Sequence, residues 1–180
     1  MTRKLVESTF VTLDGVINEP QKWSPPYWDD QHSAYAVKLM EPADALVLGR
    51  ATYEGFASAW PQRSGDPYTD KINRMPKYVA SRTLTDATWN ASIIKGDVAT
   101  KVAKLKQESG GDLLKFGTGE LDRTLLENRL VDEYHFWLFP VIAGQGQRLF
   151  DDFDLTHLQL VETTPFDSGI VVLTYTTKAP

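Results

Sequence analysis

Two short motifs in the chain combine small or hydroxyl residues with guanidinium groups, a combination that binds anions. In the first motif, Gly49 would let a ligand approach the backbone, Arg50 supplies a fork-shaped cation, and Thr52 could donate at a helix N-terminus. The second motif, Ser81-Arg82, sets a hydroxyl beside another guanidinium. Phosphate is the ligand that fits such groups, although each motif alone is more typical of a solvated surface arginine.

A third motif, Gly117-Thr118-Gly119, is a glycine-rich turn between a predicted strand and a predicted helix. The free backbone N–H groups of such a turn can hold a pyrophosphate. Glu120 suits the helix dipole but repels a phosphate placed close by, and Asp122 stands where the last glycine of a dinucleotide fingerprint would be. If the three motifs meet at one edge of one sheet, a phosphorylated nucleotide is the economical explanation.

A proline-rich loop, residues 14–27, carries a large aromatic area, which is typical of a flap over a ligand. Trp23, Tyr27 and Trp28 could form the wall against which a flat heterocycle stacks. The alternative is packing, with Trp23 pinning a surface loop to the core. The three histidines, at positions 32, 135 and 157, lack metal-ligand spacing, so no metal site is predicted.

Strand and helix patterns alternate along the chain, which predicts an α/β three-layer sandwich with a mostly parallel central sheet. Two alternating segments near the end predict an antiparallel hairpin that adds an edge to this sheet. Ligands on such sheets bind at the carboxyl ends of the strands, where all three motifs fall. Strands are predicted at 4–13, 44–49, 78–80, 93–94 (buried), 112–116, 133–142, 158–163 and 170–176. Helices are predicted at 28–40, 52–59, 98–107 and 119–130, and residues 61–75 are predicted as a polar loop with room for a short helix.

Length and composition restrict the class of protein. The 180 residues suffice for one substantial core, so a single domain over residues 1–180 is expected. A formal charge of −5 does not favour binding to nucleic acid or to an anionic membrane, so a small molecule is the expected partner. The absence of cysteine excludes disulfides, thiolate metal sites and a catalytic thiol. Without an apolar leader near the N-terminus, a cytoplasmic location is expected.

The order of these motifs resembles the dihydrofolate reductase-like superfamily, and in particular the branch that includes the C-terminal reductase domain of the riboflavin-biosynthesis deaminase-reductase. The resemblance spans residues 5–150, and its most specific part is the segment from Gly117 to Phe150. It is carried by Thr12-Leu13-Asp14-Gly15, by Leu48-Gly49-Arg50 with Thr52-Tyr53, by Gly117-Thr118-Gly119, by Leu130-Val131-Asp132-Glu133, by Pro140-Val141, and by Gly144-Gln145-Gly146 to Leu149-Phe150.

The resemblance implies an eight-stranded, mainly parallel sheet, NADPH as the cofactor, and hydride transfer to a carbon–nitrogen double bond or an equivalent carbonyl. By position, the phosphate-binding turn would be Gly49, Arg50 and Thr52, and the pocket for the adenosine 2′-phosphate would be Ser81 and Arg82. The turn that holds the pyrophosphate would be Gly117, Thr118, Gly119, Glu120 and Leu121. Relatives also commonly pair, which together with the apolar strand at 136–139 predicts a homodimer.

The substrate side rests on fewer signals. Asp29 and Asp30 are the preferred catalytic carboxylates, because dihydrofolate reductases place a substrate-binding carboxylate on the corresponding helix. Acidic residues in a first helical turn also favour the helix dipole without any ligand. Asp14 is a further candidate for contact with the substrate, and its alternative role is that of a turn former.

The sequence therefore predicts an NADPH-dependent reductase acting on a pterin-like, pyrimidine-like or ribosylamino compound. Dihydrofolate reduction itself is the enzymatic alternative. A nucleotide-binding module without turnover and a flavin-binding protein are the alternatives of another class.

Overall fold

The computed structural model describes residues 2–177. The strands are β1 (Leu5–Thr12), β2 (Ala43–Gly49), β3 (Lys77–Ala80), β4 (Ala91–Ile93), β5 (Asp112–Phe116), β6 (Glu133–Phe139), β7 (Leu158–Pro165) and β8 (Val171–Thr177). The α-helices are α1 (Pro20–Trp23), α2 (Asp30–Met40), α3 (Arg50–Ala59), α4 (Pro67–Arg74), α5 (Val98–Gln107) and α6 (Glu120–Glu127). Two 3-10 turns lie at Pro25–Tyr27 and Trp60–Gln62. None of these helices has the length and apolar character needed to cross a bilayer.

All eight strands form one sheet in the order β4-β3-β2-β5-β1-β6-β8-β7. The first six strands of that order are parallel to one another, β8 runs antiparallel to β6, and β7 runs antiparallel to β8. The predicted mostly parallel sheet with a C-terminal antiparallel hairpin is confirmed. The carboxyl ends of β2, β3 and β5 consequently lie at the same edge.

Side chains alternate between the two faces of the sheet, and helices cover both faces. Leu5 belongs to the core cluster under α5 and α6, whereas its neighbour Val6 belongs to the cluster under α2, α3 and α4. Leu46 and Leu48 on β2 are fully buried, and each such side chain stabilises the fold by about 1.5–3 kcal/mol. Apolar clusters thus lie on both faces of the sheet, as the predicted three layers require, and a third cluster lies around Tyr35 and Trp137.

Two predictions about the elements need correction. The strand predicted at 93–94 as buried is β4, whose residues Ala91–Ile93 are exposed or only half-buried because it is an edge strand with β3 as its single neighbour. Ile94, which directly follows the strand, is buried as predicted. In the segment predicted as a polar loop with a short helix, α4 is a full two-turn helix. The side chain of Asp66 caps it by accepting from the Thr69 N–H at 2.9 Å, and Pro67 occupies its first position.

Candidate functional site

The first two sequence motifs meet where β2 and β3 end. Gly49 is the last residue of β2 and pairs in register with Ala80, so the residues that follow the two strands are neighbours. The Arg50 guanidinium donates to the Thr83 hydroxyl and, at 2.8 Å, to Glu54. Arg50 therefore links the start of α3 to the loop after β3 while half of its side chain stays exposed.

The loop after β3 is shaped by a serine hydroxyl. The Ser81 Oγ accepts the N–H of Leu84 at 3.0 Å and that of Thr83 at 3.3 Å, which folds the loop back on itself. Arg82 is exposed at the tip of this loop. Two guanidinium groups thus flank the exits of neighbouring strands, and each is accessible to an anion.

The third motif lies beside the first. Gly117 has a φ of +71°, and a Cβ placed on it would lie 3.2 Å from the Thr52 Oγ1, so the turn after β5 contacts the first helical turn of α3. A Cβ on Gly119 would meet nothing within 4 Å, which leaves the outer side of the turn open. All three motifs therefore converge on one edge of the sheet, as the topology requires.

The N-terminus of α6 is capped from within the turn. The Gly119 N–H donates to the Asp122 carboxylate at 2.6 Å, and the Asp122 N–H donates to the Gly119 carbonyl at 3.0 Å. The N–H groups of Glu120 and Leu121 have no acceptor among the described residues. Glu120 is exposed and Leu121 is buried in the core. The free N–H groups are the donors that a phosphate would use.

A buried charged cluster lies directly beneath this turn, formed by Glu7 of β1, Lys115 of β5 and Asp122 of α6. Lys115 Nζ lies 2.6 Å from Asp122 Oδ1 and 3.8 Å from Glu7 Oε2. The Thr118 hydroxyl donates to Glu7 Oε1 at 2.8 Å and lies 2.9 Å from the hydroxyl of Thr9. Sequence reasoning missed this cluster; the available signal was a charged residue, Glu7 or Lys115, in the interior of a predicted strand rather than at its end.

A small groove of about 40 Å³ opens beside the turn. Its lining includes Thr118, Gly119 and Glu120 on one side and Ile17 and Arg148 on the other. Ligand pockets generally measure roughly 300–1,000 Å³, so the groove could hold only a part of a dinucleotide. Sequence reasoning missed Ile17 and Arg148, which come from segments with no phosphate-binding pattern.

Asp14 holds two loops together. Its carboxylate accepts from the Thr12 hydroxyl at 2.6 Å and from the N–H groups of Ala143 and Gly144 at 3.0 and 2.8 Å. These hydrogen bonds, that from Thr12 foremost, lower the pKa of Asp14 to about 2. The Arg148 guanidinium donates to the Asp14 carbonyl. The clamp fixes the β1 exit against residues 143–148, which is the turn-forming role weighed for Asp14.

The two carboxylates expected on the substrate side differ in their surroundings. Asp29 is the N-cap of α2, because its side chain accepts the His32 N–H at 2.8 Å. Asp30 is exposed in the first turn of the helix. The predicted helix at 28–40 consequently starts two residues later than expected. Capping is the role that the structure shows for Asp29, and catalysis by either residue stays a prediction.

Two side chains of the predicted aromatic wall pack against the core, and the third is exposed. Trp23 and Tyr27 contact the Phe139 ring edge-on, with ring centroids 5.2 and 5.9 Å apart, and so attach the 14–27 loop to the core. Trp28 is 52% exposed and stacks on His32 at 5.5 Å. Burial lowers the pKa of His32, although Asp29 opposes the shift. Trp28 is therefore the aromatic ring left accessible to a heterocycle.

Within residues 2–177, no group of three or more histidine, aspartate or glutamate side chains is arranged to hold an ion. The groups gathered at the edge where β2, β3 and β5 end are arginines and backbone N–H groups, which are donors of the kind that binds phosphate.

The fold is of the dihydrofolate reductase-like class. Dihydrofolate reductase from Enterococcus faecalis, solved in complex with NADP(H), superimposes with a TM-score of 0.66 at 17% identity, covering 99% of this chain and all of that one. A candidate riboflavin biosynthesis protein from Shewanella sp. PV-4 superimposes with a TM-score of 0.74 at 24% identity, covering 99% and 100% of the two chains. These likenesses show the fold.

The chain belongs to the RibD C-terminal domain family, whose model matches residues 3–172. The Bacillus subtilis protein YyaP is 29% identical over 179 residues, covering 96% of this chain and 94% of that protein. The suspected superfamily and branch are thereby confirmed. In the Thermotoga maritima deaminase/5-amino-6-(5-phosphoribosylamino)uracil reductase, the matching region spans 57% of that chain, with a TM-score of 0.66 at 14% identity.

Proposed function

We propose that the protein is an NADPH-dependent reductase that transfers hydride to a small heterocyclic or ribosylamino substrate resembling 5-amino-6-(5-phosphoribosylamino)uracil. The observation that carries the proposal is the convergence of Arg50, Arg82 and the 117–119 turn on one edge of the sheet. Membership of the RibD C-terminal domain family supports the reductase class. A cytoplasmic location and a homodimer complete the proposal.

NADPH fits the donors present at this edge. Arg50 and Thr52 would bind phosphate at the start of α3, and Ser81 with Arg82 would bind the adenosine 2′-phosphate, which favours NADPH over NADH. The N–H groups of residues 120 and 121 would hold the pyrophosphate at the α6 N-terminus, where the helix dipole adds to the attraction. When bound, the cofactor supplies the hydride, and the chain orients it and excludes water.

The substrate would lie between the β1 exit and the start of α2. The accessible Trp28 ring offers a stacking surface, and Asp29 or Asp30 would supply a proton to the atom that gains electron density. Trp23, Tyr27 and Asp14 would act by holding the loops around this space, as their contacts with Phe139 and with residues 143–144 indicate.

Thermal shift tests the cofactor assignment directly. The melting temperature of the purified protein is measured with NADPH, NADH and flavin mononucleotide, and again for an Arg50→Ala, Arg82→Ala double variant. The matched control is Arg74→Ala, which removes an exposed arginine at the opposite edge of the sheet. We expect NADPH to raise the melting temperature of the parent and the control but not of the double variant.

No rise with NADPH, or an equal rise in the double variant, would overturn the assignment. A rise with flavin mononucleotide alone would identify a flavin-binding protein. If NADPH binds, its oxidation at 340 nm is followed with the pyrimidine substrate and with dihydrofolate. Turnover of dihydrofolate alone would identify a dihydrofolate reductase, and binding without turnover a nucleotide-binding module.

The role of the helix-capping carboxylate is tested by two variants. Asp29→Ala removes the cap and the acid, and we expect it to cost about 1 kcal/mol of stability. Asp29→Ser restores a capping oxygen without the acid. If Asp29 supplies the proton, the serine variant regains stability but not kcat. If the serine variant regains both, Asp29 is a cap alone and Asp30→Asn is the next variant to assay.

A further inference from the structure

The charged cluster of Glu7, Lys115 and Asp122 is sealed from solvent. The side chains of these residues are 0%, 2% and 2% exposed. Glu7 pairs in register with Lys115 on one neighbouring strand and with Tyr134 on the other, and Asp122 reaches it from α6. These are the titratable groups that face Glu7. Buried charges persist only when they are paired and hydrogen-bonded.

The charges of this cluster do not balance if both acids are ionised, because one ammonium faces two carboxylates. Lys115 is much closer to Asp122, at 2.6 Å, than to Glu7, at 3.8 Å. The Lys115–Asp122 pair is therefore the ion pair, and an ionised Glu7 would be a second negative charge without its own counterion. Tyr134 cannot supply one, since a phenol has no cationic form; burial and the nearby acids raise the pKa of Tyr134 and so keep it neutral.

One buried atom points to the missing proton. Glu7 Oε2 has no hydrogen-bond partner among the described residues, whereas Asp122 Oδ1 has the Lys115 ammonium at 2.6 Å. A proton on Glu7 Oε2, donated to the neighbouring Asp122 carboxylate, gives Glu7 Oε2 a partner. Burial raises the pKa of Glu7 well above its usual value, Lys115 opposes this shift, and Asp122 adds to it.

The cluster touches every residue of the glycine turn above it. The Lys115 ammonium donates to the Gly117 carbonyl, the Thr118 hydroxyl donates to Glu7 at 2.8 Å, and the Gly119 N–H donates to Asp122 at 2.6 Å. A turn held at three successive residues has little freedom to rearrange. The two free N–H groups that follow it are therefore fixed in direction.

We propose that Glu7 is a neutral carboxylic acid hydrogen-bonded to Asp122, and that the cluster positions the 117–119 turn for the phosphates of a bound dinucleotide. Glu7, Lys115 and Asp122 are positioning residues, because they act through the turn and do not touch the cofactor. The second half of this proposal rests on the proposed function, whereas the first half does not.

The protonation of Glu7 is tested without any ligand by the variant Glu7→Gln. Its amide reproduces a neutral acid, since the carbonyl accepts from Thr118 and the NH₂ donates to Asp122. A raised folded-state pKa gives wild type stability that is present at low pH and lost as pH rises. We therefore expect the melting temperature of Glu7→Gln, relative to wild type, to increase from about pH 5 to about pH 9.

A stability difference between Glu7→Gln and wild type that does not change with pH would contradict the proposal. If Glu7 is ionised in the folded protein near its usual pKa, Glu7→Gln is less stable than wild type by an amount that stays constant over that pH range. That outcome overturns the first half of the proposal. Infrared difference spectra of the two proteins give a second measurement, because a neutral carboxyl group has a carbonyl band that a carboxylate lacks and that glutamine replaces.

The positioning role is tested by NADPH titration of the folded variants. Lys115→Met and Glu7→Ala are expected to raise the Kd for NADPH roughly 10- to 100-fold, while Glu7→Gln rescues binding. The matched control is Lys106→Met, which breaks the partly exposed Lys106–Asp132 pair near the opposite edge. Circular dichroism identifies the variants that remain folded. If Lys115→Met does not fold, the NADPH affinities of Glu7→Gln and Glu7→Ala are compared instead.

Each outcome separates the two proposals. If wild type binds NADPH and Glu7→Ala binds it equally well, the positioning role is wrong while the proposed function stands. If wild type does not bind NADPH, the proposed function and the positioning role both fail, and the pH dependence of Glu7→Gln still decides whether Glu7 is neutral.

Discussion

The loops that follow β5 and β2 lie side by side at one edge of the sheet. The first is held in place by buried charged groups and the second by exposed ones. At the β5 exit, the turn is fixed from below by fully buried charged groups. At the β2 exit, Arg50 is half-exposed and paired with Glu54, which is equally exposed. The first arrangement contributes fixed geometry and conformational stability, and the second contributes accessible charge. Three substitutions test this division.

The largest effect is expected from Asp122→Ala at the β5 exit. The variant removes the carboxylate that pairs with the buried Lys115 ammonium at 2.6 Å and also removes the side-chain cap of α6, so we expect a loss of about 3–5 kcal/mol in the free energy of unfolding. Urea denaturation followed by circular dichroism measures it. Glu54→Ala, which removes an exposed acid at the β2 exit, should change stability by less than about 0.5 kcal/mol. Similar losses of stability in Asp122→Ala and Glu54→Ala would show that the charged groups at the β5 and β2 exits do not differ in their contribution to stability.

An intermediate effect is expected from Gly117→Ala. A side chain at a φ of +71° costs about 1–2 kcal/mol, and the new Cβ would also lie 3.2 Å from the Thr52 hydroxyl. Gly96→Ala is the control, because Gly96 has a φ of +81° and nothing within 4 Å of a Cβ. The difference between the two losses measures how tightly the β5 turn contacts α3. Equal losses would mean that Thr52 simply moves aside.

The smallest effect on stability is expected from Arg50→Ala. Because both partners of its ion pair are exposed, the free energy of unfolding should change by less than about 0.5 kcal/mol, although NADPH affinity falls. Arg50→Lys retains the charge but loses the fork, so part of the affinity should return. Chemical denaturation and NADPH titration on the same samples separate the two quantities. A large loss of stability would show that Arg50 is structural.

Much of the fold follows from local patterns. The predicted bounds of α5 and β5 agree with the structure because each segment has a clear period and is limited by glycine or a capping residue. Burial was predicted correctly for Ile94 but not for β4 itself, because a short apolar run does not reveal whether a strand has one neighbour or two. The α4 helix was underestimated because its apolar face is narrow, and its cap and proline are the stronger signals.

The site was predictable where sheet topology alone brings residues together. Gly49, Ser81 and Gly117 follow parallel strands, so their meeting required no knowledge of side-chain packing. The Glu7 cluster could not be foreseen, since its three members come from β1, β5 and α6 and only the register of those elements joins them. Asp29 was ambiguous for a different reason, because a capping carboxylate and a catalytic one occupy the same helical position.

The order of strands in the sheet has a consequence for how the chain folds. Strand β1 lies between β5 and β6, and Leu5 forms its pair with Leu113. An amino-terminal fragment that ends before residue 112 therefore has its central strand without a neighbour, while β2, α3 and β3 form a contiguous parallel unit. Pairings so distant in sequence slow folding, which makes the insertion of β1 the expected late step. Because Glu7 lies on that strand, the buried cluster would be completed only once β1 is in place between β5 and β6.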